Sequence, residues 1–273
     1  MAQEDSTGRM SVYAHLDELR SRLMRAMTVF FFGFMFCYFV LAEPVMGFLR
    51  APLFHVLSPD QQKLYFTSLF ENFMTHLKIA GYSSIFVFSP YFFWELWGFV
   101  APGMLPRERK MVAPFIFFAT LFFLGGAAFA YYILFPVGFK FFVTYGSPSD
   151  VPMLTIENYY STAIRLLLLF GLAFELPVII VLLGYLGVVD AKLLRQHRRT
   201  AVMIIAIVSA LFAPPDAISM LILGFPLYVL YEGAIWVVQW LRIKRDRETL
   251  AVARAATSGE EPEADSLRGE SRD

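Results

Sequence analysis

Cysteine is nearly absent: Cys37 stands alone in 273 residues, which excludes an intrachain disulfide and any cysteine-rich metal site. Its neighbours Phe36 and Tyr38 lie in an apolar run, so a packed thiol is expected. Histidine is scarce as well. His15, His55, His76 and His197 are scattered and show no ligand spacing. The phosphate-binding P-loop, the GxGxxG turn, HExxH and GxSxG are all missing. No enzymatic activity, cofactor or metal is therefore expected, and any work done here does not draw on a nucleotide bound to this chain. Charge is thin at 17%, with a formal net charge of zero. The acidic start (Gln3, Glu4, Asp5) lacks the basic region and cleavage site of a signal peptide, so the first apolar run is expected to be a retained span.

Apolar residues make up 58% of the chain and aromatic residues 17%. A soluble domain of this length does not need so much apolar surface, so an integral membrane protein is expected. Crossing a bilayer takes about 20 apolar residues. Six candidates emerge: Met24–Ala42, Leu77–Trp97, Val112–Pro136, Ser161–Leu186, Thr200–Phe212 and Ile218–Trp240. The fifth stops at Pro214-Pro215 and the sixth is interrupted by Glu232, so both are short. Local bilayer thinning or shelter by neighbouring helices is expected around them.

Lysine and arginine set the orientation. Arg9, Arg20 and Arg22 precede span one, and Arg107, Arg109 and Lys110 follow span two. Lys192, Arg195, Arg198 and Arg199 follow span four, and Arg242, Lys244, Arg245 and Arg247 follow span six. The opposite loops carry only Arg50, Lys63 and Lys140, with Lys78 and Arg165 at span edges. Both termini are expected on the cytoplasmic side. Residues 1–23 then form a cytoplasmic amphipathic region and 24–240 a six-span membrane domain with outer segments 43–76 and 137–160. Residues 241–273 form a partly disordered tail. The outer segments are rich in apolar residues and suit short helices at the interface or capping the bundle. No internal repeat is visible, which weighs against an inverted-repeat transporter.

Two polar stretches carry candidate function. Leu16, Leu19 and Leu23 share one helical face before span one, with Glu18 and Arg22 as i,i+4 neighbours. This reads either as an ordinary solvated helix or as an acidic surface for a cationic partner. In the loop after span two, Glu108 is flanked by Arg107 and Arg109, which by itself reads as local charge balance. Glu95 lies between Trp94 and Trp97 at the membrane edge, where snorkelling to the headgroups is the simple account.

Glu175 is the most informative acid, because a carboxylate at mid-bilayer costs about 2.5–3.5 kcal/mol. Arg165 is roughly 15 Å away along a helix, too far to pair. Three readings stand: a protonated group bonded to a helix carbonyl at the Pro177 kink, a polar anchor for a partner helix or hydrated membrane, and a proton relay.

Several motifs follow one another in order. They are His15 to Arg22 (HLDELRSR), Ala51-Pro52-Leu53, Ser89-Pro90, Trp97 to Gly103 (WGFVAPG) with Glu108-Arg109, Phe135-Pro136, Phe174 to Pro177 (FELP), Pro214-Pro215-Asp216 and Leu230-Tyr231-Glu232. Together, over roughly Ser11 to Arg245, they resemble the TatC family, the multi-span core subunit of the twin-arginine protein translocase.

The resemblance implies an all-α polytopic membrane protein, with six transmembrane helices in a glove-shaped bundle and spans five and six short. It implies a receptor in the bacterial cytoplasmic membrane for folded proteins carrying twin-arginine signal peptides, driven by the proton-motive force. Its partners would be the single-span subunits TatA and TatB, with self-association and no nucleic acid. Glu18, Arg20, Phe99 and Glu108 fall on the family's signal-recognition positions. Glu95 joins them as a departure, since Gln is common there. Glu175, Pro52, Asp216 and Glu232 form the expected intramembrane polar or partner-contact set. The alternative class is an ion-coupled secondary transporter or channel using Glu175.

Overall fold

A computed structural model describes residues 12–100, 112–144, 153–212 and 217–258. Glu108 and Asp216 lie outside the described residues. The described residues are helical throughout, apart from turns, a short 3-10 segment and one isolated bridge between Tyr65 and Thr155. The helices are α1 (Val12–Phe36), α2 (Ala42–Val56), α3 (Glu71–Val87), α4 (Ser89–Val100), α5 (Val112–Phe129), α6 (Phe135–Thr144), α7 (Ile156–Ala173), α8 (Leu176–Tyr185), α9 (Ala191–Gln196), α10 (Arg198–Phe212) and α11 (Ala217–Ser258).

Proline decides where the long helices deform. α1 and α2 join through a π-helical turn, Cys37–Leu41, and α5 and α6 through another, Ala130–Leu134. Pro44 and Pro136 follow these turns directly. A proline lacks an N–H and pushes away the carbonyl four residues back. The i→i−5 bonds from Ala42 to Cys37 and from Phe135 to Ala130 let each helix absorb that clash without ending. The first helix therefore runs on past Glu43, where a break into an outer segment was expected.

Elsewhere a side chain takes up the freed carbonyl. Pro90 orphans the Phe86 carbonyl, which accepts from Ser89 Oγ at 2.8 Å, and the expected second span breaks at Phe88 into α3 and α4. Pro52, inside α2, orphans the Phe48 carbonyl, which accepts from the Tyr131 hydroxyl at 2.8 Å. Tyr160 and Tyr159 donate to the neighbouring Met46 and Leu49 carbonyls. Three tyrosines thus bind α2 to the helices that follow it. Pro177 breaks the fourth span, so α7 ends at Ala173 and α8 begins at Leu176 with the proline in its first turn.

Four stretches are individually long and apolar enough to cross a membrane: Tyr13–Val56, Val112–Thr144, Ile156–Tyr185 and Met220–Ile243. The two other expected spans are the broken α3–α4 pair and α10, which has only 15 residues. At 1.5 Å per residue, α10 is about 22 Å long, short of the roughly 30 Å hydrocarbon core. α11 is far longer than its expected span, continuing to Ser258 for 42 residues. The main core joins α2, α3, α6 and α7 around Leu49, Leu53, Ile79, Phe135 and Tyr160. Cys37 is fully buried, as expected. Large aromatics such as Phe32, Phe39, Phe117 and Tyr132 point outward, which suits helices solvated by lipid.

Candidate functional site

The start of α1 packs beside the end of α4, and four charged side chains meet there. Glu95 is only 7% exposed, so it does not snorkel to the surface. Arg25 grips it with two bonds, Nε to Oε1 at 3.0 Å and Nη2 to Oε2 at 3.1 Å. Arg22 adds a third bond at 3.3 Å, and the Tyr91 hydroxyl, one turn back on α4, donates a fourth at 2.9 Å. Buried acids need such partners, since an unpaired buried charge is very costly.

Arg22 also donates to Glu18 Oε1 from Nε at 2.9 Å and Nη2 at 2.7 Å. Glu18 Oε2 is buried and has no hydrogen-bond partner among the described residues. His15 stacks on Phe99 with ring centroids 4.3 Å apart. A Cβ on Gly98 would collide with the Arg22 guanidinium, so glycine is what lets that arginine lie across α4.

The structure thus brings Glu18, Glu95 and Phe99 together. Arg20 is exposed and takes no part in these bonds. Arg22, Arg25 and Tyr91 belong to the cluster and were not picked out as site residues. The i,i+4 spacing of Glu18 and Arg22 was the available signal. Arg25 and Glu95 are 70 residues apart, and no local pattern links them.

Glu175 sits at the break between α7 and α8, 8% exposed. Its Oε1 is buried without a hydrogen-bond partner, and no side-chain bond ties the residue to any described group. It does not bond a helix carbonyl, so the kink is not held by its side chain; Pro177 accounts for the break. Packing fixes its place. Gly126 of α5 lies so close to the Phe170 carbonyl and Phe174 of α7 that a side chain there would clash, and Gly171 answers it against Phe123. Small residues at facing positions let membrane helices approach this closely.

The remaining expected contacts go to separate places. Pro52 is buried within α2 and works through the Phe48 carbonyl. Glu232 accepts from Arg198 at 2.7 Å and from Tyr228 at 3.1 Å, so it closes an internal pair between α10 and α11. Nearby, Arg195 bonds Gln239, Tyr231 donates to the Leu194 carbonyl at 2.8 Å, and Arg242 pairs with Asp190 at 3.4 Å. These contacts fasten α9 to α11.

One polar centre escaped the sequence reading. Glu71, at the start of α3, is 4% exposed. It accepts from the Glu157 amide at 2.9 Å, the Thr67 amide at 2.6 Å and hydroxyl at 2.9 Å, and the Ser68 amide at 3.3 Å. Led by the Glu157 amide, these donors hold its carboxyl down to about 2. Beside it, Tyr65 and the 154–156 segment exchange backbone bonds at 2.9 and 2.8 Å, and Lys78 reaches Glu157 at 2.7 Å. The loop before α3 and the start of α7 are thereby latched to α3. The Ser68-x-x-Glu71 spacing of a capping box was the clue.

Comparison with known proteins bears on all of this. The family of the Sec-independent protein translocase protein (TatC) matches residues 14–226. The chain belongs to the TatC family. A TatC protein of Magnetococcus marinus is 35% identical over 237 residues, covering 87% of each chain. One from Campylobacter jejuni is 37% identical over 227 residues, 82% of this chain and 92% of that one. The crystal structure of a twin-arginine translocase receptor, TatC, superposes with a TM-score of 0.72 at 28% identity, over 84% of this chain and 99% of that one. This TatC-family chain therefore shares the all-helical membrane fold of a translocase component.

Proposed function

We propose that this chain is the receptor and assembly core of a translocase that exports folded proteins carrying twin-arginine signal peptides. The observation that carries the reading is the buried Glu18–Glu95 cluster, with its open acceptor on Glu18. Guanidinium forks bind carboxylates bidentately, whereas lysine offers only a point charge. A site of stacked His15 and Phe99 beside two carboxylates is suited to reading an arginine pair, and Glu108 and Arg20 are assigned to its rim.

The reading places the chain in the bacterial cytoplasmic membrane as a six-span glove with both termini inside. Residues 1–23 and 241–273 are then cytoplasmic, and the Glu71 latch faces the other compartment. Arg22 and Arg25 beside the end of α4, and Arg195, Arg198 and Arg242 around α9, are basic groups of the kind enriched on the cytoplasmic side, which supports that orientation. Single-span partners of the TatA and TatB kind are assigned to Glu175 and to the short α10 with the part of α11 that it packs against. The proton-motive force would supply the energy.

The test is capture of a synthetic twin-arginine signal peptide against its Lys-Lys variant, with Glu18→Ala and Glu108→Ala as controls. Preferential capture of the Arg-Arg peptide, lost in both controls, is expected. Equal capture of the two peptides would sink the receptor reading.

A further inference from the structure

We propose that Arg25, with Arg22, is a built-in competitor for the arginine pair of the signal peptide, and that the cost of displacing Arg25 sets how tightly that pair binds. This rests on the receptor reading above. Arg22 and Arg25 are three residues apart on α1 and share one helical face. Together they present to Glu18 and Glu95 the same fork-to-carboxylate chemistry that a twin-arginine ligand would bring. Arg25 already makes the two-pronged bond to Glu95, at 3.0 and 3.1 Å. The two guanidinium groups balance the two carboxylates, so little net field attracts a cation until an internal arginine gives way.

The two arginines differ in how readily they can leave. Arg22 is held by both acids, lies over Gly98, and its side chain is 19% exposed. Arg25 touches one acid and its side chain is 52% exposed, so it can swing out to water or lipid headgroups. Glu18 Oε2, buried and without a partner among the described residues, is the acceptor that the first incoming guanidinium satisfies once the cluster opens. The second then exchanges with Arg25 on Glu95.

Exchange sets how much a ligand must offer before it binds. A ligand guanidinium replaces the fork it displaces bond for bond. An ammonium cannot make that bidentate pair and so does not displace Arg25. Displacing Arg25 costs the same whichever ligand does it, so removing the competitor should tighten Arg-Arg binding by that full cost and Lys-Lys binding by no more.

The measurement is the Kd of labelled Arg-Arg and Lys-Lys signal peptides for the full-length protein in nanodiscs, comparing wild type, Arg25→Gln and Arg25→Lys. Arg25→Gln should bind the Arg-Arg peptide about tenfold more tightly, with an equal or smaller gain for Lys-Lys. Arg25→Lys keeps a cation on Glu95 and should fall between; it decides the matter if Arg25→Gln does not fold. Combining Glu95→Gln with Arg25→Gln should abolish the gain. Unchanged or weaker Arg-Arg binding in either Arg25 variant, in a protein whose wild type prefers Arg-Arg, overturns the competitor. Equal wild-type affinities for the two peptides overturn the receptor reading instead.

Discussion

Glu95 and Glu175 are nearly equal in exposure, 7% and 8%, yet their surroundings are opposite. Glu95 accepts from Arg22, Arg25 and Tyr91, and α1 and α4 are positioned to supply those donors. Glu175 receives nothing from any described side chain. Burial of Glu95 is thus accounted for within the chain, whereas burial of Glu175 is not. A polar group kept in an apolar setting without a partner costs free energy. The difference teaches that Glu95 belongs to a finished site. On the proposed reading, Glu175 belongs to one that another molecule completes.

Substitution at the two positions should break the comparison in opposite ways, and the largest effects fall on Glu175. Glu175→Leu and Glu175→Arg should abolish export of a twin-arginine reporter, while Glu175→Gln should keep it. Glu175→Leu should nevertheless leave the melting temperature of the purified protein unchanged or raised, because no internal bond is lost. Wild-type export by Glu175→Leu would remove the functional reading. Glu95→Leu should do the reverse and unfold the protein more easily. Arg22 keeps Glu18 and Arg25 is half exposed, so loss of their shared acceptor is expected to cost about 1.5–3 kcal/mol, read as a fall in melting temperature.

Glu71 sharpens the contrast as a second satisfied acid, at the start of α3. Its folded value of about 2 lies below the ordinary 4.5, so its stabilising contribution is fully present above about pH 4.5. The contribution is lost as pH falls through about 2. Protection of the Thr67 and Glu157 amides, measured relative to their intrinsic exchange rates, should fall on acidification across that window, and Glu71→Gln should flatten the dependence. The smallest effect is expected at Tyr131→Phe, which leaves the carbonyl freed by Pro52 without its donor. A loss of about 1 kcal/mol is expected, measurable by thermal unfolding.

Much of this arrangement was legible in the sequence because apolar runs of span length have few other uses. Glu175 stood out for the same reason, as the lone acid in such a run. Proline announced distortion at 44, 52, 90, 136 and 177 without saying which kind. The outcome depended on whether a π turn, a serine or a distant tyrosine took up the freed carbonyl. Phe36 to Pro44 therefore continues as helix, while Phe88 and Phe174 mark breaks. The partners of Glu95 were hidden because they sit on a helix 70 residues earlier. Glu71 was hidden by its aromatic neighbours Phe70 and Phe73, which made the segment read as an apolar cap.

The central claim, that Glu175 is completed by a partner helix, is tested most directly by photo-crosslinking from position 172. Leu172 lies one turn before Glu175 and is 56% exposed, so a photoreactive residue there leaves the carboxyl intact. In cells containing the single-span translocase subunits, an adduct with one of them is predicted. It should persist in Glu175→Gln and disappear in Glu175→Leu. An absent protein adduct, or one indifferent to Glu175→Leu, would contradict the account.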